Sequence, residues 1–131
     1  MSRDNAWFEF TAMVSGWMLH GHGGFAIEDP NTFDVLGFVV LGLEPGDREV
    51  ELGFALIEKA EGKGIAEECA LAVRDWAERE LNLTGLVSYI DPENTRSVAL
   101  AERLGAKRDV TAEADFEDGT RVYRHPNPET A

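Results

Sequence analysis

Apolar residues recur along this chain at two different spacings, which predict helices and strands respectively. Between residues 4 and 19, and again between 65 and 81, apolar side chains lie three and four positions apart, the pattern of an amphipathic helix. Asp4 is a candidate N-cap for the first of these helices. The two stripes contain three tryptophans that we expect to lie in the core: Trp7, Trp17 and Trp76.

Shorter apolar segments between glycine- and proline-rich turns predict the strands. They lie at residues 25–28, 35–43, 49–56 and 86–90, and a last pair is expected at 107–110 and 120–124. Asp91 and Pro92 predict a further helix start, as its cap and its first helical residue, and Gly105 should end that helix. The order of these elements predicts a single α+β domain over residues 1–131, built around a mixed sheet, with a flexible tail at 125–131.

The charge balance limits the partners of this domain. Its 131 residues include 12 Lys and Arg against 25 Asp and Glu, a formal net charge of −13, which repels nucleic acids and anionic membranes and favours cationic partners. The single cysteine, Cys69, lies on the apolar stripe of the second helix, where we expect it to pack rather than react. With no disulfide, no signal-peptide pattern and no apolar run of membrane-spanning length, the sequence predicts a cytoplasmic protein.

A glycine-rich turn, "EGKG" at residues 61–64, joins the third strand to the second helix. Glycine lets a ligand approach the main chain, and the amides and positive end of a helix N-terminus attract anions, so the turn predicts a phosphate-bearing ligand. A Walker A loop would need Lys and then Ser or Thr after its last glycine, but Gly64 is followed by Ile65; a dinucleotide loop would need a third glycine where Glu67 stands. A plain strand-to-helix turn is the alternative.

The context of this turn is similar to a known family. With "VELGFAL" before it and "VSYIDPENTRSVALAERLGAKRD" after it, the turn resembles the Gln/Arg-x-x-Gly-x-Gly/Ala signature of the GNAT superfamily of acetyl-CoA-dependent N-acetyltransferases. The resemblance covers residues 4–124 and looks like the branch that acetylates ribosomal-protein N-termini. It implies the α+β GNAT fold, a mixed, mostly antiparallel sheet flanked by helices, without the usual first strand and helix. The strand at 25–28 would then be open to a second chain, as in a homodimer.

The same resemblance assigns roles to individual residues. It implies that acetyl-CoA is the cofactor and that Asn94 and Ser97 reach it as an Asn-x-x-Ser pair; helix capping is the alternative role of both. The amides late in the third strand would face the thioester carbonyl, and those of the glycine turn would hold the pyrophosphate. The first group consists of Phe54, Ala55 and Leu56, and the second of Gly62, Lys63, Gly64, Ile65 and Ala66.

In this family an amine attacks the thioester directly, so the enzyme needs a proton acceptor and a group that steadies the leaving thiolate. Glu51, on the polar side of the third strand, is the candidate general base; a solvated strand-face glutamate is the equal alternative, and Glu49 is a lesser candidate. Ser97 or a water molecule is the candidate for the thiolate, because Ala101 stands where many members carry a tyrosine. Glu61 places a negative charge beside the pyrophosphate.

Two functions from different classes follow. The first is an N-acetyltransferase acting on a primary amine, either a small molecule or a peptide N-terminus. The second is a shortened, catalytically weak module that binds CoA or a second copy of itself, which Ala101 and Glu61 would favour. No metal site is expected, because His20 and His22 offer two ligands in a glycine loop without a third.

Overall fold

One mixed sheet organises the chain in the computed structural model, which describes residues 2–127. The described strands are β1 (Gly24–Glu28), β2 (Val35–Gly42), β3 (Glu51–Leu56), β4 (Val87–Ile90), β5 (Lys107–Arg108) and β6 (Arg121–Arg124). The helices are α1 (Arg3–His20), α2 (Ile65–Leu81), α3 (Thr95–Arg103) and α4 (Val110–Glu113), with a short 3₁₀ turn at Glu58–Ala60. In the sheet the strand order is β1-β2-β3-β4-β6-β5.

Within residues 2–127, the sheet combines four antiparallel strand pairs with one parallel pair. Strands β1, β2 and β3 pair antiparallel, β4 runs parallel to β3, and β6 pairs antiparallel with both β4 and β5. A parallel neighbour needs a crossover connection, which α2 provides between β3 and β4. The predicted α+β domain with a mixed, mostly antiparallel sheet is confirmed.

Helix α2 packs across the centre of the sheet and closes the main core. Val39 and Leu41 lie two positions apart on β2, so they face the same side, and Leu41 pairs directly with Leu52 of β3. All three are 0% exposed. They form one buried cluster with Val73 and Ala77 of α2, two residues on one face of that helix. This packing fixes the start of α2 close to the end of β3.

Helix α1 contacts the sheet through only part of its surface. Its apolar side chains lie all around the helix, so one contact face cannot cover them, and none of its residues is buried. The ring of Trp17 lies 5.0 Å from that of Phe25 and 6.0 Å from that of Trp76, whereas Trp7 is 63% exposed. The predicted core position of Trp7 is therefore wrong, and that of Trp17 is met only in part, because its ring packs on these two rings but the residue is 38% exposed. No helix within residues 2–127 combines the length and apolar content needed to cross a bilayer.

Two predicted helix starts are displaced because other side chains provide the caps. Ser2, and not Asp4, accepts the capping hydrogen bond of α1. Asn94, and not Asp91, caps α3, so Pro92 lies before that helix instead of in its first turn. A cap is decided by the direction of the side chain at the helix end, and several residues near these ends have a suitable oxygen.

The strand predicted at 107–110 is shorter in the structure. Strand β5 ends at Arg108, because Asp109 turns the chain and caps α4. Both guanidinium Nη atoms of Arg124 then hold this corner: Nη2 lies 2.9 Å from Asp109 Oδ2, and Nη1 lies 2.7 Å from Glu49 Oε1. Glu49 is therefore committed to an ion pair.

The chain after β6 is packed, so the predicted flexible tail is wrong for residues 125–127; residues 128–131 lie outside the described part. His125 is 3% exposed. Its Nε2 lies 2.8 Å from Ser88 Oγ of β4, and its Nδ1 lies 3.2 Å from Nη1 of Arg74 in α2. Burial, together with the charge of Arg74, lowers the pKa of His125 to about 4.

We expect this histidine to make stability depend on pH. Because its pKa falls from 6.5 unfolded to about 4 folded, its contribution is complete above pH 6.5 and is lost as pH falls towards 4, by about 3 kcal/mol in total. His125→Gln can bond to both Ser88 and Arg74 but does not titrate, so its free energy of unfolding should lack this slope. Urea unfolding of both proteins between pH 4 and 8 measures the difference, in which the titration of other groups cancels. A constant difference across this range would contradict the prediction.

Candidate active site

Strands β3 and β4 part soon after they meet. Among the described residues their parallel ladder has one register pair, Glu51 with Val87. The amide of Ile57 donates to β2, and because hydrogen-bond directions alternate along a strand, the amides of Phe54 and Leu56 point away from β2 and towards the gap. The parting therefore directs main-chain donors of β3 into open space.

A cleft of about 820 Å³ opens beside this gap, between β3, the turn after it and α3. The predicted cofactor and catalytic residues that line it are Phe54, Ala55, Leu56, Gly62, Ala66, Asn94 and Ser97. A smaller cavity of about 350 Å³ continues along the glycine turn, where Gly64 and Ile65 line it. Lys63 lines neither of these two cavities. The structure thus brings most of the predicted cofactor residues together.

Two glycines in the left-handed region shape the turn after β3. Gly62 and Gly64 have φ values of 77° and 75°, the left-handed region that side chains avoid. A Cβ atom on either would meet nothing within 4 Å, so the backbone conformation, and not a close neighbour in the protein, requires glycine. Gly64 is the N-cap of α2 and offers no side-chain cap, which leaves first-turn amides such as those of Ile65 and Ala66 for another acceptor.

The N-terminus of α3 forms the facing wall of the cleft and carries its own cap. Asn94 Oδ1 accepts a hydrogen bond from the amide of Ser97 at 3.2 Å, so the capping role of Asn94 is present while both side chains line the cleft. Arg96 of α3 forms an ion pair with Glu61 of the glycine turn. This pair joins the two walls and offsets the negative charge that Glu61 would otherwise place beside a bound phosphate.

Arg103 is a cleft residue that the sequence patterns did not identify. It ends α3 and lines both the larger and the smaller cavity. Within residues 2–127 it makes no ion pair. Its guanidinium is therefore available to an anion near the glycine turn. The usable signal was its spacing from Arg96, since residues seven positions apart share a helix face.

A second large cavity, of about 760 Å³, lies between α1, the end of β2 and the turn that follows it. Its lining is rich in carboxylates, which are contributed by Glu9, Glu44, Asp47 and Glu51. Glu51 is the first residue of β3, the strand whose far end lines the cleft beside α3. Strand β3 therefore connects the two cavities. Glu49 does not line this cavity and is instead paired with Arg124.

Glu51 occupies an environment that suits proton transfer. Burial, first of all, raises its pKa to about 7, with smaller contributions from Asp47 and Glu44. A hydrogen bond from the amide of Tyr89 to Glu51 Oε2, 3.2 Å long, opposes this rise. A carboxyl group with a pKa near 7 is partly ionised at neutral pH and can act as a base. This is not the environment of a solvated strand-face glutamate.

The α3 side of the cleft offers the hydroxyls of Thr95 and Ser97 and no phenol. Ala101 is 0% exposed and packs with Ile90 and Tyr123, so its position does not reach the cleft. Ser97, one helical turn earlier, lines the cleft. Cys69 packs against the main core, and its burial, with the nearby charge of Glu68, raises the pKa of its thiol. The packing role predicted for Cys69 is confirmed.

A parted parallel strand pair beside a glycine turn at a helix N-terminus characterises this α+β domain, and the comparisons with known proteins identify its family. The family model described as "Acetyltransferase (GNAT) domain" matches residues 1–107. The chain belongs to the GNAT acetyltransferase family, and the GNAT fold predicted from the sequence is confirmed.

Individual relatives agree with this assignment. A crystal structure of an acetyltransferase from Agrobacterium tumefaciens is 38% identical, with a TM-score of 0.90 over 97% of this chain and 74% of that one. The ribosomal-protein-S5-alanine acetyltransferase of Vibrio fischeri is 17% identical and shares the fold, with a TM-score of 0.70 over 97% of this chain and 74% of that one. The uncharacterized N-acetyltransferase p20 of Bacillus licheniformis is 30% identical over 74% of this chain and 56% of its own length. This chain spans about half the length of the curated relatives it matches.

Proposed function

We propose that this chain is an acetyl-CoA-dependent N-acetyltransferase that transfers an acetyl group to a primary amine by direct attack in a ternary complex. The observation that carries the proposal is the parting of β3 from β4 beside a helix N-terminus without a side-chain cap. A ligand with both a diphosphate and an extended amide arm would match both features, and coenzyme A is such a ligand. Membership of the GNAT family supports this choice.

In this proposal two parts of the cleft bind two parts of acetyl-CoA. The amides of residues 62–66 hold the pyrophosphate, and Arg103 adds a positive charge. The amides of Phe54 and Leu56 bond to the extended arm in the way that an added strand would. Ala55 contributes its side chain to the cleft wall, because its amide points to β2 by the same alternation.

The reaction uses the thioester that acetyl-CoA supplies, and three groups of this chain act around it. Glu51 accepts the proton of the amine, since its pKa of about 7 leaves much of it ionised at neutral pH. The amide of Phe54 stabilises negative charge on the carbonyl oxygen. Ser97 donates a hydrogen bond to the leaving sulfur. Asn94 caps α3 through Oδ1, and its amide nitrogen donates to the arm.

The acceptor amine binds in the cavity beside α1. The carboxylates in its lining and the net charge of −13 favour an amine that enters as a cation. Small-molecule amines and peptide N-termini both meet this condition, and a protein of the same fold is a ribosomal-protein-S5-alanine acetyltransferase. We propose a cytoplasmic location, which the single cysteine supports.

Calorimetric titration with CoA should show saturable binding to the wild type that Gly64→Asp abolishes. The aspartate places a negative charge at the pyrophosphate amides and strains a residue with φ of 75°. Gly119→Asp is the matched control, because Gly119 has a φ of 85°, would also meet nothing within 4 Å of an added Cβ, and lines none of the three cavities described above. A folded wild type without CoA affinity would reject the proposed function.

Turnover of acetyl-CoA with a panel of amines and N-terminal peptides should follow the ionisation of Glu51. We expect kcat/KM to rise with pH through an apparent pKa of about 7, which forms the acid limb of the pH–rate profile. Glu51→Gln should lower kcat by about 10²-fold and remove this acid limb. Glu49→Gln is the control and should keep the limb.

Thermal unfolding separates the loss of the proton acceptor in Glu51→Gln from misfolding of that variant. The folded pKa of Glu51 is raised from 4.5 to about 7, so the stability it contributes is present below pH 4.5 and lost as pH rises through 7. Glu51→Gln avoids that loss and should be at least as stable as the wild type at pH 8. An unchanged rate in a folded Glu51→Gln would remove Glu51 as the base.

The competing proposal is a module that binds CoA or a second copy of this chain without turnover. The observation that favours it is the surface of α1, where Trp7, Phe8 and Met18 are 63%, 68% and 87% exposed. Sedimentation equilibrium tests it: a dimer that Phe8→Glu dissociates, together with CoA binding and no turnover, would support the module. A monomer that acetylates an amine would exclude it.

A further inference from the structure

The gap between β3 and β4 begins where side chains replace the main-chain hydrogen bonds. After the pair of Glu51 with Val87, a parallel ladder would continue with the amide of Tyr89 donating to the carbonyl of Leu52. Instead, the Tyr89 amide donates to Glu51 Oε2 at 3.2 Å, and the Leu52 carbonyl accepts from Ser88 Oγ at 2.5 Å. Both groups of the missing rung are satisfied by side chains, so the strands can part without a buried unpaired group.

The direction of the Ser88 hydroxyl is set by a buried series of hydrogen bonds that links three side chains. The Leu52 carbonyl can only accept, so Ser88 donates its proton there and accepts from His125 Nε2 at 2.8 Å. His125 Nδ1 lies 3.2 Å from Nη1 of Arg74, which can only donate. The three side chains belong to residues that are 2%, 3% and 9% exposed. Each proton in this series of hydrogen bonds therefore has one position. The Ser88 hydroxyl cannot turn to another acceptor while the series is intact.

Arg74 connects this series of hydrogen bonds to the walls of the cofactor cleft. Its Nη1 also donates to the carbonyl of Leu104, at the C-terminal end of α3, over 2.6 Å. Arg74 itself belongs to α2, the helix that begins at the glycine turn. One set of buried hydrogen bonds thus joins both helices of the cleft to both parted strands.

We propose that Ser88, oriented by His125 and Arg74, is a positioning residue for acyl transfer. Its hydroxyl holds the Leu52 carbonyl and keeps β3 and β4 apart, so that the amide of Phe54 stays directed into the gap. The inference rests on the proposed function, because it gives the gap a role in binding acetyl-CoA. Ser88 does not touch the reacting atoms; it acts through the main chain of β3.

Loss of the hydroxyl would also change the candidate base. The Leu52 carbonyl would be left to the amide of Tyr89, and this amide would leave the Glu51 carboxylate. Its hydrogen bond lowers the pKa of Glu51, so losing it raises that pKa. The other titratable groups facing Glu51 or lining its cavity stay in place: Glu44 and Asp47 after β2, Glu9 and His20 of α1, and the phenol of Tyr89 on β4.

The test compares Ser88→Ala with Ser88→Thr, which keeps the hydroxyl. In the ligand-free protein, hydrogen exchange followed by NMR should be slower at the amides of Phe54 and Leu56 in Ser88→Ala than in the wild type, because the gap narrows. CoA affinity of Ser88→Ala should fall about tenfold, and the acid limb of its pH–rate profile should move to higher pH. Ser88→Thr should restore the wild-type result in all three measurements.

The possible results separate this inference from the proposed function. A wild type that does not bind CoA overturns the proposed function and the role in acyl transfer with it. A wild type that binds CoA, with wild-type exchange and acid limb in Ser88→Ala, overturns the positioning role alone. The positioning role is equally overturned if Ser88→Ala lowers the free energy of unfolding but leaves hydrogen exchange, CoA affinity and the acid limb as in the wild type. Should Ser88→Ala not fold, His125→Leu, which frees the hydroxyl, is measured in the same way against His125→Gln.

Discussion

The separation of β3 from β4 is the constraint on which the rest of this structure depends. Parallel neighbours joined by α2 would normally continue their ladder, but here one register pair is followed by a gap. The gap is tolerated because the carboxylate of Glu51 and the hydroxyl of Ser88 take the main-chain groups that would have closed it. Since α2 begins at the far end of the same strand, the gap and the uncapped helix N-terminus lie on one cleft. The six residues of β3 therefore serve both the sheet and the candidate site.

The electrostatics of the two cavities differ, although the chain as a whole is acidic. On the side of the glycine turn, the partial charges of first-turn amides and the guanidinium of Arg103 face the cavity, and Arg96 offsets Glu61. On the side of α1, the described lining includes four carboxylates and neither Lys nor Arg. An anionic cofactor and a cationic acceptor would thus approach β3 from differently charged regions. A net charge of −13 is compatible with a diphosphate ligand because main-chain amides, rather than lysines, provide most of the proposed contacts.

Much of the fold could be predicted because several segments have strong local signals. The spacing of apolar residues predicted α2 to its last residue, and short apolar runs between turns predicted β1 to β4 within two residues at each end. Where local signals were weak or ambiguous, the prediction was wrong. The stripe on α1 placed Trp7 in the core, yet apolar residues surround that helix and the sheet covers only one part of it. The cap of α3 passed from Asp91 to Asn94 because both can accept the bond and only the path of the chain chooses.

The sequence by itself determined the family, the strand-to-helix glycine turn and the order of elements, because these follow from local backbone preference and from periodicity over one element. It also indicated Glu51, but not the burial that raises its pKa to about 7. The tertiary structure alone decided which distant groups meet. Arg103 lines the cavity of the glycine turn, the amide of Tyr89 bonds to Glu51, and Ser88 of β4 meets His125, which follows β6, and through it Arg74 of α2. Such contacts join residues up to 51 positions apart, and no periodicity within one segment carries information about them.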